Sequence, residues 1–256
     1  MWKEKVRADQ GMDPAHLLEI RYKEENYWWH VNERGLVRRL LRGSRPSPGF
    51  VLEVGCGGGK LAAELANDGQ SVVATDRTLE AVRFAAGRGL SQALVFDAGE
   101  KWPFASSIFD VVIMLDVLER IERDKSCLVE AGKAFRGGGL LILTVPAHQF
   151  LFSNWDKVLE HKRRYSKKLL LRRLQGAGFA IIKVTYWNLI SLLPAIFLRS
   201  VDRVLSREGY RAEFPDVLGI INALLKIWGH IENRCIESFG IPVGLSLVAV
   251  ATKPHE

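Results

Sequence analysis

Phe50-Val-Leu-Glu-Val-Gly-Cys-Gly-Gly-Gly-Lys60 decides how the rest of the chain is read. Four apolar residues surround one carboxylate and run directly into glycines, the pattern of a buried parallel strand that ends in a tight turn. Glycine there lets the backbone turn sharply and lets a ligand approach the main chain. The next residues, Lys60-Leu-Ala-Ala-Glu-Leu-Ala66, have helical spacing, so the loop feeds a helix whose free N–H groups attract negative charge. Strand, glycine loop and helix together make a nucleotide site.

Three nucleotide sites compete for this loop. A P-loop requires Ser or Thr after its lysine, and Leu61 follows Lys60. A dinucleotide fingerprint fits loosely on Gly57, Gly59 and Ala62. The third reading rests on Glu53, two residues before Gly55. A carboxylate there opposes a diphosphate but suits a ligand that carries an ammonium or sulfonium. The following strand, Ser71-Val-Val-Ala-Thr75, ends in Asp76, placed to accept both hydroxyls of a ribose. Glu-x-Gly-x-Gly with a ribose acid describes a site for S-adenosylmethionine.

On these residues the chain resembles the class I S-adenosylmethionine-dependent methyltransferases. The resemblance runs on through Phe96-Asp97-Ala98, Trp102 to Glu119 with its central Phe109-Asp110-Val111-Val112, and Gly137 to Pro146. It covers roughly residues 48 to 150. It implies a doubly wound, Rossmann-like α/β fold of seven strands, mostly parallel with the last antiparallel, in the order 3-2-1-4-5-7-6. It also implies a cofactor site made of Glu53, Gly55, Cys56, Gly57, Asp76, Arg77, Asp97, Ala98 and Leu115, with Asp97 at the adenine amine. Many relatives carry His after the strand-four glutamate, where this chain has Arg120. The activity implied is transfer of a methyl group to an O, N or C atom of a small molecule, leaving S-adenosylhomocysteine. A cofactor-binding protein without transferase activity and an NAD-type oxidoreductase are the alternatives.

Composition sets further bounds. A chain of 256 residues, 48% hydrophobic, can bury one large α/β core without disulfides. Its three cysteines, at positions 56, 127 and 235, have no Cys-x-x-Cys spacing. The expectation is a reducing, cytoplasmic setting with no metal site. No apolar run reaches membrane-spanning length, and the first residues lack a signal-peptide core. A net charge of +7 suits acidic partners, but no dense basic tract with interleaved aromatics appears, so no nucleic-acid partner is expected.

The sequence divides into a charged helical arm (1–47) that ends in the breaker cluster Gly43-Ser-Arg-Pro-Ser-Pro48, an α/β core (48–187), an apolar helical insertion (188–240) and a final strand (241–256). In the arm, Trp28, Trp29 and Arg34 match a helix that related methyltransferases fold over the cofactor, so Trp29 and Arg34 join the implied site. After strand five, Val145 to Tyr165 resembles a segment that faces the acceptor, with His148, His161 and Tyr165 as its candidate catalytic residues. His161 and Tyr165, four apart, would share a helical face. Either histidine would take a proton from the acceptor, or the cluster would only pin the loop. The insertion would line an apolar acceptor pocket, form a homodimer or rest on a membrane surface. Arg199, Arg203 and Arg207 give its first helix a basic stripe.

Overall fold

The computed structural model describes residues 14–44, 49–204 and 214–254, without the side chains of residues 14 and 202–204. Its strands are β1 (Phe50–Val54), β2 (Ser71–Asp76), β3 (Ala93–Val95), β4 (Phe109–Leu115), β5 (Phe135–Pro146), β6 (Ala180–Trp187) and β7 (Ser246–Thr252). They form one sheet in the order β3-β2-β1-β4-β5-β7-β6. The pairings of β1 with β2 and β4, of β2 with β3 and of β4 with β5 are parallel, and β7 runs antiparallel between β5 and β6. The expected order and the reversed last strand are both present.

Helices cover both faces, so the inner strands are apolar on both sides. On one face Leu52, Val112 and Leu141 meet Leu128 of α5 (Asp124–Ala134) and Leu170 and Leu174 of α7 (Lys167–Gly176). On the other, Val51, Val111, Ile113 and Val250 meet α2 (Trp28–Ser44), α3 (Lys60–Asn67) and α9 (Gly219–Ser238). Side chains alternate along a strand, so Glu53 shares the face of Val51 and lies beneath the second set of helices. The turn from β1 to α3 uses positive φ at Gly55, Gly57 and Gly59. A Cβ on Gly59 would stand 2.6 Å from the Ala85 backbone, so glycine there lets α3 approach α4 (Leu79–Gly87).

The arm divides in two. In α2, Leu36, Val37, Leu40 and Leu41 are all buried against the sheet, a helical apolar stripe that makes α2 a core layer. Only α1 (Pro14–Asn26) leans over the glycine loop. Residues 1–13, and Arg45 to Pro48 of the breaker cluster, lie outside the described residues.

Insertion helices α8 (Leu192–Val204) and α9 separate β6 from β7. Arg207 and the Arg203 side chain lie outside the described residues, so the basic stripe is represented by Arg199 alone. Helix α9 lies along α2. Asn32 Nδ2 donates to the Leu225 carbonyl at 3.0 Å, and Asn233 Nδ2 donates to the Asn32 carbonyl at 2.8 Å. Any Cβ on Gly229 would overlap the Asn32 side chain, so glycine sets how closely the two helices approach. The short α6 (Asn154–Val158) completes the helices.

Candidate active site

A cleft of 1770 Å³ opens beyond the carboxyl ends of β1, β2 and β4. Ligand crevices of open α/β sheets form there. Typical single-ligand pockets measure about 300–1,000 Å³. This cleft has room for a cofactor and an acceptor together.

One end of the cleft is built by the glycine loop. Glu53 is buried, and its Oε2 has no hydrogen-bond partner. Burial, reinforced by nearby Glu24, raises its carboxyl well above the usual range. An unsatisfied buried carboxyl on the cleft wall is a ready acceptor for an ammonium ligand. At the end of β2, Asp76 Oδ2 accepts the Gly57 N–H at 3.1 Å, and Oδ1 accepts the Thr78 N–H at 2.9 Å. These bonds fix the carboxylate at the cleft edge. Asp97 accepts the Gly99 N–H at 2.8 Å and is exposed to the cleft, with Cys56, Ala98 and Leu115 on the same walls. Arg77 also lines the cleft and pairs with Glu160, which directs its guanidinium toward that carboxylate.

Helix α1 roofs this end through an acid that the sequence analysis did not identify. Glu24 Oε1 accepts the Gly58 N–H at 2.9 Å, while Arg88 lies 3.5 Å from Oε2. Arg34 donates to the Glu24 carbonyl at 2.6 Å and to Glu64 at 3.0 Å, which ties α1, α2 and α3 together. Trp29 lines the cleft and meets Trp187 edge-on at 5.3 Å. Burial pushes Glu24 up to about 7, against the Gly58 bond and the Arg88 and Arg34 charges. The sign follows from linkage: a raised acid stabilises the fold fully below its unfolded value of 4.5, and that contribution is lost as pH rises through about 7. Glu24→Gln should therefore flatten melting temperature against pH between 4.5 and 7. Parallel curves for the two proteins across that window would sink this assignment.

The floor beside β4 is polar and acidic. Asp116 takes a φ of 49°, a costly conformation for a non-glycine residue and one that clusters at functional sites. The Thr144 hydroxyl lies 3.2 Å from Asp116 Oδ1 and 3.3 Å from Glu33 Oε1. Burial raises both acids, and Asp116 adds its charge against Glu33. The Asp116 N–H also donates to the Thr144 hydroxyl at 3.1 Å, so this one side chain holds the segment in place. His161 borders the cleft. Its Nδ1 is bonded to Asp156 at 2.9 Å, and its Nε2 lies 3.6 Å from Glu119 with no hydrogen-bond partner. Burial lowers its pKa below the usual imidazole range, with Asp156 opposing. The Asp156 carboxylate, held below the usual range, only accepts, so the Nδ1 that faces it carries the proton.

The structure separates the three candidate catalytic residues. Tyr165 is fully buried, donates to Asp124 Oδ2 at 2.9 Å and does not line the cleft. His148 Nε2 bonds the Gly244 carbonyl at 3.0 Å, and its ring stacks on Tyr186, also off the cleft wall. Only His161 borders the cleft. The shared helical face of His161 and Tyr165 does not form. Helix α6 ends at Val158, Glu160 takes a φ of 59°, and Tyr165 pairs with Ala147 in a bridge. Apolar members of the lining are Ile190, Pro194 and Leu198 around α8, with Trp155, Phe214 and Leu225, interspersed with Ser191 and Arg199.

Comparison with known proteins agrees with this geometry. Residues 52–143 match the methyltransferase domain family. The chain is 28% identical over 201 residues to the protein MJ1123 of Methanocaldococcus jannaschii, spanning 74% of this chain and 91% of that one. It is 28% identical over 164 residues to a ubiquinone biosynthesis O-methyltransferase of Parvibaculum lavamentivorans, spanning 60% of this chain and 62% of the relative. The aligned stretch thus takes in less than two thirds of that enzyme's length. Among solved structures, the [4+2]-cyclase SpnF superposes with a TM-score of 0.61 at 20% identity, covering 94% of this chain and 93% of its own. A Thermotoga maritima S-adenosylmethionine-dependent methyltransferase, a possible histamine N-methyltransferase, gives 0.57 at 20% identity, covering 93% and 98%. At those identities the likeness establishes the fold.

Proposed function

We propose that this chain, whose residues 52–143 match the methyltransferase domain family, is a class I S-adenosylmethionine-dependent methyltransferase that methylates a nucleophilic atom of a small, largely apolar molecule. The observation that carries the reading is that one cleft is lined both by Glu53 and Asp76 and by apolar side chains in and around α8 and α9 such as Ile190, Leu198 and Leu225. S-adenosylmethionine bound beside Glu53 and Asp76 supplies an electrophilic methyl group and leaves as S-adenosylhomocysteine. In this reading Glu53 takes the ammonium, Asp76 the ribose and Asp97 the adenine, while α1 and Trp29 keep water out. The relatives named as ubiquinone biosynthesis O-methyltransferases support an oxygen nucleophile on an apolar acceptor. The free thiols Cys56, Cys127 and Cys235 favour a reducing, cytoplasmic setting.

Alignment of nucleophile and methyl group supplies most of the acceleration, on the order of 7–11 kcal/mol in favourable models. A hydroxyl acceptor must also lose its proton. Asp116 is the group placed to take it, because it lines the cleft and is held by Thr144. His161, fixed by Asp156 and bordering the same cleft, is a positioning group here. Asp116→Asn should lower turnover by roughly 10²–10⁴-fold, the range of general-base catalysis, and should abolish the rise of rate with pH. Binding of S-adenosylhomocysteine should persist, and His161→Gln should cost less. A fully active Asp116→Asn enzyme would exclude Asp116 as the proton acceptor.

The reading as a whole is tested by transfer of labelled methyl from S-adenosylmethionine to a panel of phenols, amines and carboxylates of graded apolarity. Label should appear on the apolar oxygen acceptors. Tight S-adenosylhomocysteine binding without transfer to any of them would favour a cofactor-binding protein that serves a partner. SpnF, a cyclase on this fold, shows that architecture alone does not fix the reaction.

A further inference from the structure

Helix α9 has two faces with different surroundings. Its inner face packs on α2 through Gly229, Asn233 and Ile236. Its outer face presents Ile220, Leu224, Ile227 and Ile231, at helical spacing, to solvent. Leu193 and Phe197 do the same on α8. Exposure runs from 51% at Ile231 to 75% at Leu193, where an isolated soluble domain would place polar residues.

Charge and position identify what covers this surface. Lys226, His230 and Arg234 recur every four residues along one flank of the α9 outer face. The acids of α9 are engaged elsewhere: Glu232 accepts the Leu189 N–H at 2.9 Å, and Glu237 pairs with Arg39 at 3.0 Å. An apolar face edged by Lys226 and Arg234 fits a bilayer that contains anionic lipid. The surface is also continuous with the cleft. Leu198 and Val201 of α8 line the cleft while remaining exposed, and Leu225 lines it from α9. A second copy of the chain seated there would roof the mouth, whereas a bilayer would leave it facing an apolar phase. No helix among the described residues is long and apolar enough to cross a membrane, so contact would be at the surface.

We propose that the outer faces of α8 and α9 dock this enzyme on an anionic lipid surface, with the acceptor end of the cleft turned toward the bilayer. The bilayer orientation rests on the proposed apolar acceptor, whereas docking itself requires neither cofactor nor acceptor. The full chain is sedimented with phosphatidylcholine vesicles, with and without phosphatidylglycerol, beside the variant Ile220→Glu/Leu224→Glu/Ile227→Glu. All three positions are exposed, and unchanged S-adenosylhomocysteine affinity certifies that the variant is folded. Wild type should bind the anionic vesicles at least tenfold more tightly than the variant, and more weakly at high salt. Failure of wild type to bind either vesicle would overturn docking. So would a wild-type dimer that the variant dissociates without any vesicle binding, which would make the face a self-association surface. Vesicle binding without methyl transfer would leave docking standing and count against the catalytic reading alone.

Discussion

Replacing Asp156 with alanine should lower the melting temperature by roughly 6–20 °C. The estimate combines about 3–5 kcal/mol for stranding a buried charge with about 2–4 °C per kcal/mol in a chain of this size. Asp156 is fully buried and meets His161 at 2.9 Å, Arg164 at 2.8 Å and Arg199 at 3.7 Å. It also accepts the Ser153 N–H at 3.0 Å, which caps α6. Burial alone would raise its pKa, but the His161 bond and the arginine charges outweigh that and hold it below the usual carboxylate range. With a depressed pKa, its contribution is present above the unfolded value of 3.8 and is lost as pH falls through the folded value. Alanine leaves Arg164 buried beside an uncompensated cavity. Differential scanning calorimetry at neutral pH is the measurement, and a shift under about 2 °C would mean that the cluster is solvated and structurally idle.

Asp76→Ala should weaken S-adenosylhomocysteine binding tenfold or more, a loss of at least about 1.4 kcal/mol. Two losses combine. The ribose loses the acid at the end of β2, and the glycine loop loses the brace between Asp76 and the Gly57 N–H. Thr78, the N-cap of α4, loses its bonds to the same carboxylate at 2.9 and 3.0 Å. Calorimetric titration of wild type and variant, with NAD as a control ligand, gives the answer directly. Affinity unchanged within about twofold would remove Asp76 from the site, and NAD binding in place of S-adenosylhomocysteine would overturn the cofactor itself.

The sheet was legible because each of its strands carries its own signal. Phe50 to Val54 and Phe109 to Leu115 are continuous apolar runs, and the turn residues around them give the βα rhythm. The candidate cofactor end was legible for a related reason, since Glu53, Gly57 and Asp76 are each tied to a strand end and their spacing survives folding. The acceptor end was not. Glu33, Asp116 and Glu119 come from α2, the end of β4 and the turn that follows, and no local pattern joins them, just as none joins Glu24 of α1 to the glycine loop it roofs. Asp116 carried the only usable signal, its place next to the end of β4. Tyr165 and His148 sit in a motif with acceptor-facing spacing, yet backbone reversals at His148 and Glu160 turn them into the framework. The arm read as a lid over the cofactor because Trp28, Trp29 and the charged residues dominate it, while Leu36, Val37, Leu40 and Leu41, which bury α2 against the sheet, are quieter in sequence.

The seam between α2 and α9 sets a timetable for the newborn chain. Asn32 bonds Leu225, a partner 193 residues further along. At about 5–20 residues per second, α2 leaves the ribosome roughly 10–40 s before α9 exists to meet it. For that interval the edge of α2 destined for α9 has only water, or a chaperone, for company. Once α9 arrives, it and α2 close their seam on one face of the sheet, and a chain stalled short of Gly219 never completes it.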